Sequence, residues 1–283
     1  MIDETAEEIA DMQTHSSSVV AVKAARALLA LTDEEYPTVE QYQRALERNS
    51  SALTRANPSH ASLHNTQRDI VSTVADADPE SVARAQELTT EAVESVVDRV
   101  QTAKRRAAEN AAGLLSPGDT LLTHDYSTTV LSAIRQAAED GASLSVYVTE
   151  ARPRYLGRKM ARRLAAFDSV DTTLIVDGAS GNYLPECDRV VVGMDCIVED
   201  TLYNRVGTYP LAATAADLGV PVTTLGSVDK LVDSGFAFEN EHRVASEVMR
   251  EPAEGFDVAN PAYDATPTRL LDSVVTDEGV EEF

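Results

Sequence analysis

No stretch of this sequence carries the roughly 18 consecutive apolar residues of a membrane-spanning helix, so no helical span and no membrane partner is predicted. It opens on the acidic MIDETAEEIADMQ, without the basic start and apolar run of a secretory leader, and the expected location is the cytoplasm. Cysteine is nearly absent. Cys187 and Cys196 stand alone, in neither a CxxC pair nor a metal-ligand framework, which predicts two reduced core thiols and no metal. There is no GxGxxG and no Walker loop, so no dinucleotide or P-loop nucleotide site is signalled and no cofactor is expected. Lysine is scarce as well: four residues, Lys23, Lys104, Lys159 and Lys230, against twenty arginines.

What the chain does have is acid. Its 47 Asp and Glu outweigh 24 Lys and Arg, giving a formal charge of −23 that disfavours direct contact with a nucleic-acid backbone. Excess carboxylate with little lysine suggests adaptation to concentrated salt, where a Debye length of roughly 3 Å at 1 M blunts self-repulsion. The alternative is an ordinary acidic cytosolic protein. A melting series in rising KCl separates the two, stabilisation by salt being the halophilic outcome. With 283 residues and 43% hydrophobic content, the chain can bury a large core in two domains or one elaborated domain.

Residues 1–112 read as helices. SSSVVAVKAARALLAL offers Ser16 to Ser18 as caps, then Val19, Val22, Ala25, Leu28 and Leu29 at helical spacing. Pro37 opens a second helix, a third runs from about Pro58, and Pro79 sits in the first turn of a long one reaching Ala112. Gly113 and Pro117-Gly118 punctuate the chain, so the domain boundary is placed between 112 and 113. Thereafter short apolar or β-branched runs (TLLTH, SLSVYVTE, TTLIVD, RVVVG, VPVTTL) alternate with helical stretches, which predicts an α/β fold with a mainly parallel, doubly covered sheet in 113–283.

Ligands of such sheets bind beyond the carboxyl ends of the strands. Four clusters fall there: Thr123-His124-Asp125-Tyr126-Ser127, Thr149-Glu150-Ala151-Arg152-Pro153 with Gly157, Gly193-Met194-Asp195, and Asn204-Arg205-Val206-Gly207-Thr208. Arg152 and Arg205, with the backbone amides near Gly207 and Thr208 at a helix start, suit a phosphate. Alternatively, the arginines bridge to Glu150 and Asp195, Asp125 caps the helix beginning near Thr128, and His124 is a satisfied strand-end histidine.

THDYSTTVLSAI, VYVTEARPRYLGRKMARRLA, GMDCIVEDTLYNRVGTYPLAATAADLGVPV and NPAYDATPTRLLDSVVTDEGV resemble, in order, motifs of the family that contains the α, β and δ subunits of initiation factor 2B. That family also includes methylthioribose-1-phosphate isomerase and ribose-1,5-bisphosphate isomerase. RANPSHASLHNTQRDIV extends the likeness into the helical half, and it is strongest from Asp119 to Val280. The resemblance implies a helical N-terminal domain followed by a Rossmann-like domain, and a homodimer or larger homo-oligomer.

The family's isomerases resemble one another in a cysteine after the Thr-His of the first strand and an aspartate in Gly-Ala-Asp. Here Asp195 matches the aspartate, while Asp125 fills the cysteine's slot. A carboxylate is a weaker nucleophile than a thiolate, with an unperturbed pKa of about 3.9 against 8.5. Tyr126 and Ser127 resemble the regulatory subunits. The expectation is therefore an initiation factor 2B α-like regulatory protein with a pocket for a phosphorylated small molecule and initiation factor 2 as a candidate partner. The alternative is a sugar-phosphate isomerase of the ribose-1,5-bisphosphate type using Asp195 and Asp125. By resemblance, ligand contacts fall at Arg152, Gly157, Asn204 and Arg205, with Arg55 and Arg68 from the helical half.

Overall fold

The structure, a computed structural model, describes residues 2–11, 17–232, 236–251 and 253–283. Ser16 lies outside them, and Ser17 and Ser18 are the first residues of a helix rather than its caps. Residues group into two compact units, Met1–Ala103 with Asp229–Glu239 and Lys104–Val228 with Asn240–Phe283.

The first unit is built from helices α1 (Ile2–Asp11), α2 (Ser17–Ala27), α3 (Val39–Ala56), α4 (Ala61–Asp76) and the N-terminal part of α5 (Val82–Ala112). Pro37, Pro58 and Pro79 stand just ahead of α3, α4 and α5, outside the hydrogen-bonded turns where a missing N–H and a fixed φ do no harm. Pro79 is thus not in the first turn of α5. Ser81 takes the place at its head and accepts a bond from the Arg84 N–H at 3.2 Å. Thr38 does the same for α3, accepting from Gln41 N–H at 3.3 Å. Apolar stripes at helical spacing, including Leu46 and Leu53, Leu63 and Ile70, and Val93, Val96 and Val100, are buried together. Each large aliphatic buried there contributes about 1.5–3 kcal/mol. Arg99 spans this unit, pairing with Asp69 at 2.6 Å and with the buried Asp229 at 2.9 Å.

In the second unit the chain runs β1 (Thr120–Thr123), α6 (Thr128–Glu139), β2 (Leu144–Thr149), α7 (Gly157–Leu164), β3 (Val170–Ile175), the single turn α8 (Ser180–Tyr183) and β4 (Arg189–Gly193). It continues with β5 (Cys196–Val198), β6 (Thr201–Arg205), α9 (Thr208–Leu218) and β7 (Val222–Leu225). After the two-residue β8 (Leu231–Val232), which is counted with the helical unit, come β9 (Tyr263–Pro267), β10 (Ser273–Thr276) and β11 (Gly279–Glu282). The main sheet has the order β11-β10-β7-β4-β1-β2-β3 and is parallel except for β11. The five predicted strand runs are β1, β2, β3, β4 and β7, and the fold is the α/β, Rossmann-like one expected. Its core sets Leu121, Val146, Val148 and Val191 against Val130, Ile134, Met160 and Leu164.

Two features position the site. Successive crossovers leave β1 toward β2 on one side, while β4 lies on its other side, so the strand order reverses between β1 and β4 and a crevice opens beyond their carboxyl ends. A second, antiparallel ribbon then rises from that edge: β6 pairs with β5 and with β9, Arg205 opposite Tyr263 and Asn204 opposite Asp264. None of the strand runs expected from the sequence falls in this ribbon.

Candidate active site at the strand ends

Asp125 leaves β1 and Asp195 leaves β4, so the reversal in strand order sets the two carboxylates on either side of the crevice. Arg205, from β6, stands between them. Its Nε lies 3.7 Å from Asp125 Oδ2 and 3.6 Å from Asp195 Oδ2, and its guanidinium carbon is 4.7 Å from the centre of the Tyr263 ring. Burial works against the charge on Arg205, but Asp195, then Tyr263 and Asp125, outweigh it and hold its pKa above the ordinary arginine value. Burial, reinforced by Asp195, pushes the Tyr263 phenol up to about 12.

Asp125 does not cap the following helix. Ser127 does, accepting from Val130 N–H at 3.3 Å, which leaves Asp125 in a left-handed turn at φ 62° with Oδ1 on its neighbour's N–H at 2.7 Å. Aspartate is among the few side chains that enter this region readily.

His124 is structural. Its Nε2 lies 2.8 Å from the Val206 carbonyl and its Nδ1 2.6 Å from the Thr149 hydroxyl, so Nε2–H donates and Nδ1 accepts. The ring also presses against Gly207, where φ is +108° and an added Cβ would come within 2.6 Å of the imidazole. This joins the ends of β1, β2 and β6.

The helix start expected to hold a phosphate is already filled. Asp264 Oδ2 accepts from Gly207 N–H at 2.7 Å and from Tyr209 N–H at 3.0 Å, so the amides opening α9 face a carboxylate of the chain itself. Asn204 turns to the inner face of the ribbon and donates to the Thr208 hydroxyl at 3.0 Å. Gly157 begins α7 so close to β2 that a Cβ would lie 1.8 Å from the Thr149 carbonyl oxygen, and the residue acts by backbone approach.

The arginines gather more densely than the sequence indicated. A cleft of about 300 Å³, part of it open solvent, is lined by Arg152, Arg154, Arg205 and Arg243, with Asp125 the one carboxylate in its walls among the described residues. Arg152 does not bridge to Glu150. Glu150 pairs with Arg158 at 2.7 Å, and Arg152 donates to the Val248 carbonyl at 2.9 Å. Arg55 and Arg68 belong to the helical unit, where they line a cleft of about 820 Å³, part open solvent, with His64 and Gln67. Gln67 is 1% exposed, and neither end of its amide has a partner among the described residues. Sequence reading missed Arg154, Arg243, Tyr263 and Asp264. The NPAYD motif was the available signal for the last two and the ARPRYLG stretch for Arg154, whereas nothing local marks Arg243.

Fold and strand ends together define a Rossmann-like α/β protein with carboxylates and arginines gathered at its topological switch point. The chain belongs to the initiation factor 2 subunit family, whose model matches residues 13–282. It is 35% identical to a ribose 1,5-bisphosphate isomerase of Haloterrigena turkmenica, over 97% of this chain and 88% of the relative. It is 31% identical to one of Haloferax volcanii, over 97% of this chain and 87% of the relative. Among solved structures it is similar to a translation initiation factor eIF-2B of Pyrococcus horikoshii OT3, with a TM-score of 0.77 and 26% identity over 99% of this chain and 96% of that one. Six archaeal relatives bear the isomerase name. This overturns the expectation of an initiation factor 2B α-like regulatory protein, which leaned on the missing cysteine and on Tyr126-Ser127. One substituted side chain weighs less than similarity along almost the whole chain. Among the described residues no helix is long and apolar enough to cross a membrane.

Proposed function

We propose that this chain is an aldose–ketose isomerase acting on a phosphorylated pentose, of the ribose 1,5-bisphosphate type. The observation that carries the reading is the placement of Asp125 and Asp195 on either side of the switch point, both within 4 Å of the same arginine nitrogen. The names of the relatives support it.

Turning a ribose 1,5-bisphosphate ring into the open 2-ketose opens the C1–O4 bond with a proton to O4. It removes a proton from C2, returns one to C1, and takes the hydroxyl proton from O2 as the carbonyl forms. These transfers balance, and a base and an acid flanking C1 and C2 perform them. Asp195 acts on one side and Asp125 stands where the family's enzymes place a thiol. Arg205 stabilises the oxyanion that develops on O2. The reading includes a cytoplasmic homo-oligomer active in concentrated salt, which light scattering and activity across a KCl series test.

The deciding experiment follows ribulose 1,5-bisphosphate formed from ribose 1,5-bisphosphate in high KCl. Wild type turns over, and Asp195→Asn and Asp125→Asn each lower kcat by at least about 10²-fold, the usual contribution of a positioned acid or base. A folded wild type without turnover at any KCl concentration sinks the reading.

A further inference from the structure

Of the four guanidinium groups lining the strand-end cleft, three are engaged by the protein. Arg152 donates to the Val248 carbonyl, Arg205 lies between Asp125 and Asp195, and Arg243 is clasped by Glu247 at 2.7 Å and Glu241 at 2.8 Å. Arg154 is different. It is half-buried and has no hydrogen bond or ion pair with any described residue. Burial first, then Arg243 and Arg205, push its pKa down, and Asp125 and Glu247 offset this only in part. A cation held half out of water among other cations is unfavourable unless an anion joins it.

The loop that carries Arg154 is built to keep it there. Asp177 accepts from the N–H groups of both Ala151 and Arg152 at 2.7 Å. Ala151 and Tyr155 on either side of Arg154 are both left-handed at φ 58°, a conformation that costs a non-glycine residue about 1–2 kcal/mol and persists only where its surroundings fix it. The Tyr155 ring is covered by Arg158, whose guanidinium carbon is 3.8 Å from its centre. On the facing wall, Glu247 and Glu241 fix the orientation of Arg243 while balancing its charge, whereas Arg154 pairs with no carboxylate among the described residues and, unlike Arg152, with no carbonyl either.

We propose that Arg154 and Arg243, with Arg205 adjoining, form a subsite for a phosphoryl group of the substrate. Forked guanidinium donors on two walls match the oxygens of a phosphate monoester dianion, which relieves the repulsion on Arg154. Because Arg205 also stands between Asp125 and Asp195, a phosphate held here places the sugar beside the carboxylate pair. The subsite deepens the isomerase reading and rests on it for the substrate's identity, though not for the binding of phosphate itself. It selects a sugar that carries a phosphate at this end of the cleft over one carrying a neutral group.

The test uses inorganic phosphate as the probe, exchanged for chloride at constant ionic strength, with binding read by calorimetry and melting. Arg154→Gln is compared with wild type and with Arg135→Gln, which alters an exposed arginine of α6 outside the cleft. Wild type and R135Q are expected to bind phosphate and to be stabilised by it. R154Q is expected to melt in chloride at or above the wild-type temperature while its phosphate affinity falls at least about tenfold, the loss of one charge-assisted bond. Undiminished phosphate affinity in R154Q, no phosphate binding by wild type, or an R154Q that melts well below wild type in chloride each overturns the subsite. Phosphate binding through Arg154 without sugar-phosphate turnover leaves the subsite standing and sinks the isomerase reading. Turnover with an unchanged KM in R154Q does the reverse.

Discussion

Replacing Asp264 by alanine frees two amides at the start of α9. The Gly207 N–H, donating at 2.7 Å, is partly buried, and losing a charged acceptor there costs about 1.5 kcal/mol or more. The Tyr209 N–H, at 3.0 Å, is more exposed, so water replaces most of that bond and the loss is about 0.5 kcal/mol. The negative charge at a helix N-terminus adds about 0.3–1 kcal/mol. Asp264→Ala should therefore destabilise the protein by about 2–3 kcal/mol, a fall of about 4–12 °C in Tm for a chain of this size class. Asp264→Asn keeps an acceptor and loses the charge, so it should cost about 1 kcal/mol. Urea unfolding at a fixed KCl concentration measures both variants against wild type, read from the midpoints at a common slope. If Asp264→Ala falls within about 0.5 kcal/mol of wild type, or if Asn is as damaging as Ala, the carboxylate is not what holds the head of α9.

Gly157→Ala places a methyl 1.8 Å from the Thr149 carbonyl oxygen, a backbone atom of a strand whose side chain also holds His124. Overpacking usually costs about 1–3 kcal/mol, and the upper end or more is expected here, with activity lost alongside. A G157A protein as stable as wild type in the same urea series contradicts that close approach. The alkaline limb of stability reports on Tyr263, whose folded pKa of about 12 exceeds the ordinary phenol value of about 10. The raised pKa means the folded state holds the proton more tightly, so the stabilisation is complete below about pH 10 and is lost as pH rises through 12, by about 2–3 kcal/mol. Tyr263→Phe should make the loss over that window shallower by that amount, leaving the share of Tyr36, whose phenol burial and Glu34 also push up to about 12. The comparison is made in a Cys187→Ser background, because burial pushes the Cys187 thiol up to about 11 and it titrates in an overlapping range. An equally steep loss in the Phe variant refutes the assignment.

Strands β1, β2, β3, β4 and β7 were legible because each is a short apolar or β-branched run, a pattern that depends on neighbours in sequence alone, whereas β10 of the same sheet was not singled out. Motif order placed Asp125, Arg152, Asp195 and Arg205 on the candidate list for the same reason. The ribbon β5-β6-β9 was not legible, since β6 finds β9 some sixty positions later and neither segment announces its partner. Asp264 illustrates the consequence. The start of α9 looked like an open anion site until that pairing brought a carboxylate from β9 onto its amides.

By itself, the sequence determined the acidity of the chain, the helical half, the alternating strands and the pair of carboxylates that follow β1 and β4. These are properties of composition, period and motif. Only the tertiary structure decided which charges meet: Glu150 with Arg158 rather than Arg152, Asp125 and Asp195 about a shared Arg205, and Arg154 with no partner among the described residues. Electrostatic energy falls with distance in space and takes no account of distance along the chain, so the division between paired and unpaired arginines had to wait for the fold.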